Sequence, residues 1–276
     1  MNNNDHVIKI AVLATVFNRK DVTLRGLQSF YSAASAMLDS HHFEIYLVDD
    51  GCTDGTGEAV LANFPKVNII SSKGGLFWGG GMNEAWKAAS NDFDYDYYIW
   101  LNDDAELYPT ALKSLFEVKD DDAIVSGVFE DKEHHISYGG KTEKKDLLPP
   151  GSKEEVFYMN GNLVLIPRKI YKKLGFIDSW FIHGGGDYDY GMRAKENGFR
   201  IVLTNDFVGM TDRHDEKAFY NKNYPLFKRM KMLYSKKSNP IIAFKLYYKH
   251  RSLWEAIRIF VRRNYRTILA SETCKE

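Results

Sequence analysis

Residues 8 to 104 alternate between short apolar, β-branched runs and segments of helical period, and this alternation constrains the fold more than any other feature. "IKIAVLATVF" (8 to 17), "FEIYLVDD" (43 to 50), "VNIISS" (67 to 72) and "YDYYIWLNDD" (95 to 104) read as strands. Between the first two, Leu24, Leu27, Tyr31, Ala34 and Leu38 recur at helical spacing behind Asp21, the expected N-cap. "GCTDGTGEAVLANF" reads as a turn and helix, and "MNEAWKAAS" as a third helix. Strand and helix in succession predict an α/β fold, a mixed but mostly parallel sheet with helices on both faces. In such sheets ligands bind beyond the carboxyl ends of the strands.

Polar residues gather at those ends. Thr15, Phe17, Asn18 and Arg19 close the first strand, Asp49 and Asp50 the second, Ser72, Lys73, Gly74 and Gly75 the third, and Asn102, Asp103 and Asp104 the fourth. One acidic strand end is commonly a turn or a cap, but several converging on one edge point to a ligand. Asp54, ahead of "GTGEAVLANF", reads first as a helix cap. Asp103 and Asp104 offer hard oxygen ligands to Mg²⁺ or Mn²⁺, which need few protein carboxylates when a substrate diphosphate and water complete the shell. A pair of turn aspartates is the plain alternative on local sequence.

The 276 residues, 44% of them hydrophobic, suffice for one large domain or a domain with an appendage. Cys52 and Cys274 lie far apart and form no metal-binding spacing, so a reducing, cytoplasmic compartment is expected. "MNNNDHVIKI" lacks the basic and apolar regions of a signal peptide, and no run of 18 apolar residues occurs. The formal net charge of zero hides an asymmetry. Residues 1 to 150 carry 13 Lys/Arg against 24 Asp/Glu, and residues 151 to 276 carry 24 against 13. After residue 216 the ratio is 15 to 3, which suits an anionic partner or a solvated basic face. "DKEHHISYGGKTEKKDLLPPGS" (131 to 152) reads as an irregular, exposed excursion.

In "SWFIHGGGDYDYGMRAKENGFRI" (179 to 201) three glycines stand directly before Asp187 and Asp189. The two aspartates can cap the helix "YGMRAKENG", which ends at Gly198, a fitting C-cap. The glycines can also leave room for something large beside a carboxylate.

The ordered set "VLATVFNR", "VDDGCTDGT", "KGGLFWGGGMNEA", "IWLNDDAEL", "YMNGNLVLIPRKI", "GFIDSWF" and "GGGDYDYGMRAKENG" resembles the family 2 inverting glycosyltransferases with the GT-A fold. Within them it is similar to the bacterial rhamnosyl- and galactofuranosyl-transferases of surface polysaccharide synthesis, over residues 8 to 216. The resemblance implies a nucleoside-diphosphate sugar donor, UDP- or dTDP-linked, lying across the first three strand ends. Asp49 and Asp50 would sit near base and ribose, flanked by Thr15, Asn18 and Arg19, with Lys73 and Gly74 beneath the sugar diphosphate. Asn102-Asp103-Asp104 falls on the family's DxD-type motif. It implies Asp104 as metal ligand, Asp103 on the donor-sugar side, and Asn102 where the family has an acid. Gly186-Asp187-Tyr188-Asp189-Tyr190 with Arg193 falls on the second acidic motif, which implies Asp187 as catalytic base and Asp189 as second acid. Gly186 replaces the family's Glu. His214 matches a histidine that joins the metal or diphosphate, Trp180 offers an acceptor platform, and Asn160 a donor or acceptor contact. On this reading Asp187 takes the acceptor hydroxyl's proton while a metal on Asp104 stabilises the departing diphosphate. Glycines 184 to 186 let the acceptor sugar lie against the backbone.

From Phe244 to Leu269, Leu246, Leu253, Ile257, Val261 and Ile268 recur near helical spacing among Lys245, Lys249, Arg251, Arg258, Arg262, Arg263 and Arg266. Such a helix can lie on an anionic membrane surface, pack on the catalytic domain or dimerise. The expected layout is thus a catalytic domain over 1 to 216 and a basic helical extension over 217 to 276. The expected acceptor is a glycan, lipid-linked, met at the cytoplasmic face of the inner membrane, with no nucleic acid involved. A sugar nucleotidyltransferase and a non-catalytic nucleotide- or carbohydrate-binding protein are the alternative classes. The first would need a glycine cluster that "TVFNRKDVTLRG" lacks.

Overall fold

In the computed structural model, which describes residues 7–211, 218–235 and 238–269, the four expected strands form as β1 (Ile8–Val16), β2 (His41–Asp49), β3 (Asn68–Ser71) and β4 (Tyr97–Leu101). They alternate with α1 (Lys20–Ser35), α2 (Thr56–Asn63) and α3 (Phe77–Asp92). There follow β5 (Glu106–Leu107), α4 (Ala111–Glu117), β6 (Ala123–Glu130), β7 (Ile136–Tyr138), β8 (Leu163–Pro167), α5 (Arg168–Leu174), α6 (Gly186–Glu196) and β9 (Arg200–Met210). The strands make one sheet in the order β3-β2-β1-β4-β8-β6-β9-β5, with β7 on β6. β3, β2, β1 and β4 run parallel; β8 is antiparallel to both β4 and β6, while β6 and β9 are parallel again. The mixed, mostly helix-covered sheet matches the expectation.

Both faces of the sheet are buried, and the two-residue period of β1 divides its side chains between them. Ile10, Val12 and Ala14 join Leu27 and Phe30 of α1 in one core. Ala11 and Leu13 join Met82 and Trp86 of α3, with Tyr190 and Ala194 of α6, in the other. β1 pairs with β2 on one side and β4 on the other, so the chain leaves it in opposite directions along the sheet. A crevice therefore opens at the carboxyl ends of β1 and β4, where ligands bind in open α/β sheets.

Two local readings change. Asp21 lies within the first turn of α1 and does not cap it; Asp54 does, its Oδ2 accepting the Lys20 N–H at 3.1 Å while Oδ1 accepts the Thr56 N–H of α2 at 3.1 Å. One carboxylate thus satisfies free N–H groups of two helices. The segment 131 to 152 is less irregular than its composition suggests: β7 pairs with β6, Lys141 bridges to Leu147 and Tyr158, and Leu148 is buried.

The basic C-terminal region forms α7 (Leu226–Leu233), α8 (Pro240–His250) and α9 (Leu253–Leu269). The periodic stretch from Phe244 to Leu269 is two helices rather than one, broken at Arg251, whose φ of −131° and ψ of −98° leave the helical region. Leu246 and Ile242 of α8 pack with Phe181, Met192 and Tyr158. α8 therefore rests on the α/β region that precedes it, and α9 rests on α8.

Candidate active site

The ends of β1 and β4 meet through Arg19. Its Nη1 donates to Asp103 Oδ1 and its Nη2 to Asp104 Oδ2, both at 3.0 Å. A planar guanidinium forks naturally across two carboxylates. Burial pushes the Asp103 carboxyl up to about 6, with Arg19 opposing and the Asp104 charge adding to the rise. Asp103 Oδ2 is buried without a hydrogen-bond partner. An unsatisfied buried oxygen beside a second carboxylate is a donor set that a hard divalent cation fits. Asp104, with a side chain 22% exposed, is the more accessible of the two.

The glycine-rich loop is held by Asp50. Its Oδ1 accepts from Ser72 Oγ at 2.8 Å and Leu76 N at 3.0 Å, and its Oδ2 from Phe77 N at 2.9 Å. Asp50 is 4% exposed. Expected near base and ribose, Asp50 here anchors the loop that lies at the crevice. Asp49 is likewise engaged, accepting the Cys52 N–H at 2.7 Å. Lys73 and Gly74 are exposed at the loop's surface. Gly74 and Gly75 have φ near +90°, and Phe77, a bulky residue, is held at φ +53°. Strain of that kind persists where surroundings over-determine it, here through Asp50 and the contact of Phe77 with His183 at 4.6 Å. Asn18, also at positive φ, accepts the Thr53 N–H at 2.7 Å and ties the end of β1 to the loop after β2. Thr15, at the same end, lies close against α3, where a Cβ on Gly81 would meet its Oγ1 at 2.1 Å.

A second network joins the two acidic motifs. Trp78 Nε1 donates to Asn102 Oδ1 at 2.7 Å, and Asn102 Nδ2 donates to Asn162 Oδ1 at 2.6 Å. Asn102 both accepts and donates, which an ionised aspartate cannot do. This explains the amide where the family has an acid. One residue back, Gly161 N donates to Asp187 Oδ2 at 3.2 Å, and Tyr188 N to Oδ1 at 2.9 Å. A Cβ on Gly161 would stand 2.6 Å from the Trp78 ring, so only glycine lets this loop close. Burial pushes the half-buried Asp187 carboxyl up to about 6, against the Tyr188 N–H, the Lys141 charge and the Gly161 N–H. Asn160 sits in the same loop, its Oδ1 accepting the Asn162 N–H at 3.2 Å.

Asp189 is placed otherwise. It is fully buried, accepting from Arg193 Nε at 2.9 Å, His250 Nε2 at 2.8 Å and Lys249 Nζ at 2.7 Å. Burial opposes its charge, yet His250, Lys249 and Arg193 hold the carboxyl below its ordinary value. Expected as a second acid at the substrate, Asp189 here clamps α6 to the end of α8. The glycines before it also serve the protein itself. A Cβ on Gly185 would meet Ile242 at 3.0 Å, and one on Gly186 would meet Ile177 Cγ2 at 2.8 Å and the Trp78 ring at 3.4 Å. A side chain at 186, such as the Glu of the resemblance, would force Ile177 to shift. Trp180 is 47% exposed, with Lys245 over its ring at 5.5 Å. His214 lies outside the described residues.

Four participants were missed in the sequence. Asn162 carries no motif signal beyond its neighbour Asn160. Lys141 lies in the segment read as an excursion, yet its Nζ donates to Tyr188 Oη at 2.9 Å beside Asp187. Lys249 and His250 belong to the extension, and nothing local announces that they reach α6.

A family model described as Glycosyl transferase family 2 matches residues 11–184. An undecaprenyl-phosphate 4-deoxy-4-formamido-L-arabinose transferase of Yersinia enterocolitica is 24% identical over 253 residues, spanning 85% of this chain and 68% of the relative. Among solved structures, the mannosyltransferase PcManGT from Pyrobaculum calidifontis, in complex with GDP-Man and Mn²⁺, has a TM-score of 0.58 at 15% identity, over 95% of this chain and 76% of its own. Residues 1–349 of S. aureus TarS, solved also with UDP-GlcNAc, have a TM-score of 0.54, at 16% identity without the ligand and 15% with it. The two TarS comparisons cover 96% of this chain and 73% or 74% of that 1–349 chain. These likenesses identify the fold as GT-A.

Proposed function

Glycosyl transferase family 2 is the family to which this chain belongs, and on that premise we propose that it moves a sugar, with inversion, from a nucleoside-diphosphate donor to a lipid-linked glycan in cell-surface polysaccharide assembly. The observation that carries the reading is the network from Trp78 through Asn102, Asn162 and Gly161 to Asp187, which fixes the two acidic motifs relative to each other. The nucleotide-sugar complexes of the structural neighbours and the lipid-phosphate acceptor named for the Yersinia relative point the same way.

Inverting transfer needs a base on the acceptor side and charge stabilisation on the leaving-group side. Asp187 is the base. A carboxyl raised to about 6 is ionised near neutral pH and holds a proton better than an ordinary aspartate, which suits proton abstraction from a hydroxyl. Its backbone donors orient it without neutralising it. A divalent cation, Mg²⁺ or Mn²⁺, held by Asp104 with Asp103 beside it, would supply electrostatic stabilisation to the leaving diphosphate. Arg19, already across both carboxylates, adds positive charge at the same place. The loop of Lys73 to Phe77, anchored by Asp50, offers exposed backbone to the donor, and Trp180 an exposed ring to the acceptor. The catalytic unit comprises residues 1 to 216, works at the cytoplasmic side of the membrane and carries residues 217 to 276 as an extension.

The test is a thermal-shift and hydrolysis screen of UDP-, dTDP- and GDP-sugars with Mn²⁺, Mg²⁺ or EDTA. Stabilisation by one nucleotide class that requires metal and vanishes in Asp104→Ala supports the donor site and identifies the base. No shift with any nucleotide and metal would remove the reading's support.

A further inference from the structure

Of the nineteen large hydrophobic side chains exposed among the described residues, twelve lie between Leu226 and Leu269. The excess marks the extension as a surface made for contact rather than for water. Its centre is α9. Ala256 and Thr267 are buried and Phe260 meets Phe244 of α8 edge-on, which defines the inner face. Trp254 (81% exposed), Ile257, Val261, Tyr265 and Ile268 follow at steps of three and four residues. On a helix that spacing makes one continuous stripe, spanning roughly 80° of the circumference at ~100° per residue. Arg258 and Arg262, both exposed, lie along one edge of the stripe.

We propose that this stripe is a membrane-surface anchor: α9 lies in the plane of an anionic bilayer, with Trp254, Ile257, Val261, Tyr265 and Ile268 among the acyl chains and Arg258 and Arg262 at the headgroups. Three features select a bilayer as the occupant. The stripe has aromatic residues near both ends, suited to the polar–apolar boundary. Its flank is cationic, within a region of 15 Lys/Arg and 3 Asp/Glu after residue 216, which complements anionic headgroups. No helix among the described residues is long and apolar enough to cross a membrane. α9, with 17 residues, is amphipathic instead, the form that lies in an interface. The hairpin also transmits position. α9 packs on α8, and α8 ends in Lys249 and His250, which grip Asp189 two residues from Asp187. Anchoring α9 therefore sets the height of the proposed base above the lipid surface. The anchor suits the lipid-linked acceptor, but it stands on the exposed stripe and is tested without donor or acceptor.

The experiment is sedimentation of the full chain with phosphatidylcholine vesicles, with or without phosphatidylglycerol, at low and high salt. The expected result is binding to the anionic vesicles that weakens with salt. Ile257→Glu/Val261→Glu should lower it by tenfold or more, and Arg258→Ala/Arg262→Ala by about tenfold, on anionic vesicles only. Both variants should keep the wild-type melting temperature and nucleotide-induced shift, since neither pair is buried. Absence of binding to either vesicle overturns the proposal. So does a concentration-dependent dimer that Ile257→Glu/Val261→Glu dissociates, because a second copy would then cover the stripe. Vesicle binding without any nucleotide response would leave the anchor standing and count against the transferase reading alone.

Discussion

The two acidic motifs contain two aspartates each, and the structure treats the pairs in opposite ways. Asp103 and Asp104 share one guanidinium, that of Arg19, and leave one buried oxygen unpaired. Asp187 and Asp189 share nothing. Two residues apart on a helix they point roughly 200° from one another, so one meets the crevice loop and the other meets α8. Adjacent acids at a strand end can act together on one ligand, whereas i,i+2 acids on a helix divide the work. Asp187 keeps only backbone donors and a nearby lysine, and burial raises its carboxyl. Asp189 is saturated by Arg193, Lys249 and His250.

The division is broken most sharply at Asp187. Asp187→Asn should lower turnover by about 10²- to 10⁴-fold while nucleotide binding and melting temperature stay near wild type; steady-state kinetics beside thermal shift reads both. A stability loss with normal turnover would reverse the roles assigned to the pair. Asp189→Asn should act the other way, removing the buried anion that Arg193, Lys249 and His250 share while Lys249 keeps Asp178 and His250 keeps Glu196, at a cost of about 3–5 kcal/mol, seen as a lower denaturation midpoint. Gly186→Glu, which restores the family's residue, should cost about 1–3 kcal/mol through the overpacking of Ile177 and Trp78. A gain in turnover from that variant would show that the glycine is a functional rather than a packing choice.

The smallest effects are those of pH, and they separate the motifs again. Asp187 must be ionised to act, so turnover should rise with pH through about 6. Stability should move the opposite way. Asp103 and Asp187 are raised in the folded state, so their contribution is full below the ordinary carboxylate range and lost as pH rises through about 6. For His250, burial opposes the charge but hydrogen bonds to Asp189 and Glu196 outweigh it, and its pKa is raised. Lys249, Arg193 and Asp178, the last paired with Lys249, are the other charged groups at this cluster. Its contribution is full below the ordinary imidazole value of about 6.5 and is lost as pH rises through the higher folded value. Denaturant melts across pH should therefore show a second decline above the ordinary imidazole value that His250→Gln flattens. If the decline persists in that variant, another group is responsible.

Legibility in the sequence followed the range of the forces involved. β1 to β4, α1 to α3 and the crevice at their carboxyl ends were readable because period and turn chemistry act over a few residues. Asp187 and Asp104 are singled out by motif frame, and the roles proposed for them rest on that frame. Asp50 and Asp189 stand in equally good frames, but the frame does not announce the protein groups that meet them. Asp50 binds Phe77, 27 residues on, and Asp189 binds His250, 61 residues on. The split of the C-terminal periodicity at Arg251 was hidden as well, since Leu246 and Leu253 keep helical spacing across a backbone that does not.

What the sequence determined by itself is the set of elements and the edge at which polar residues collect, because apolar period fixes which side chains can be buried together. What tertiary structure alone decided is the charge environment of each acid. Arg19 and Asp104 are 85 residues apart, yet they meet at 3.0 Å. A carboxylate's pKa and its freedom to act are sums over every group within a few ångströms, and only the folded chain chooses those neighbours.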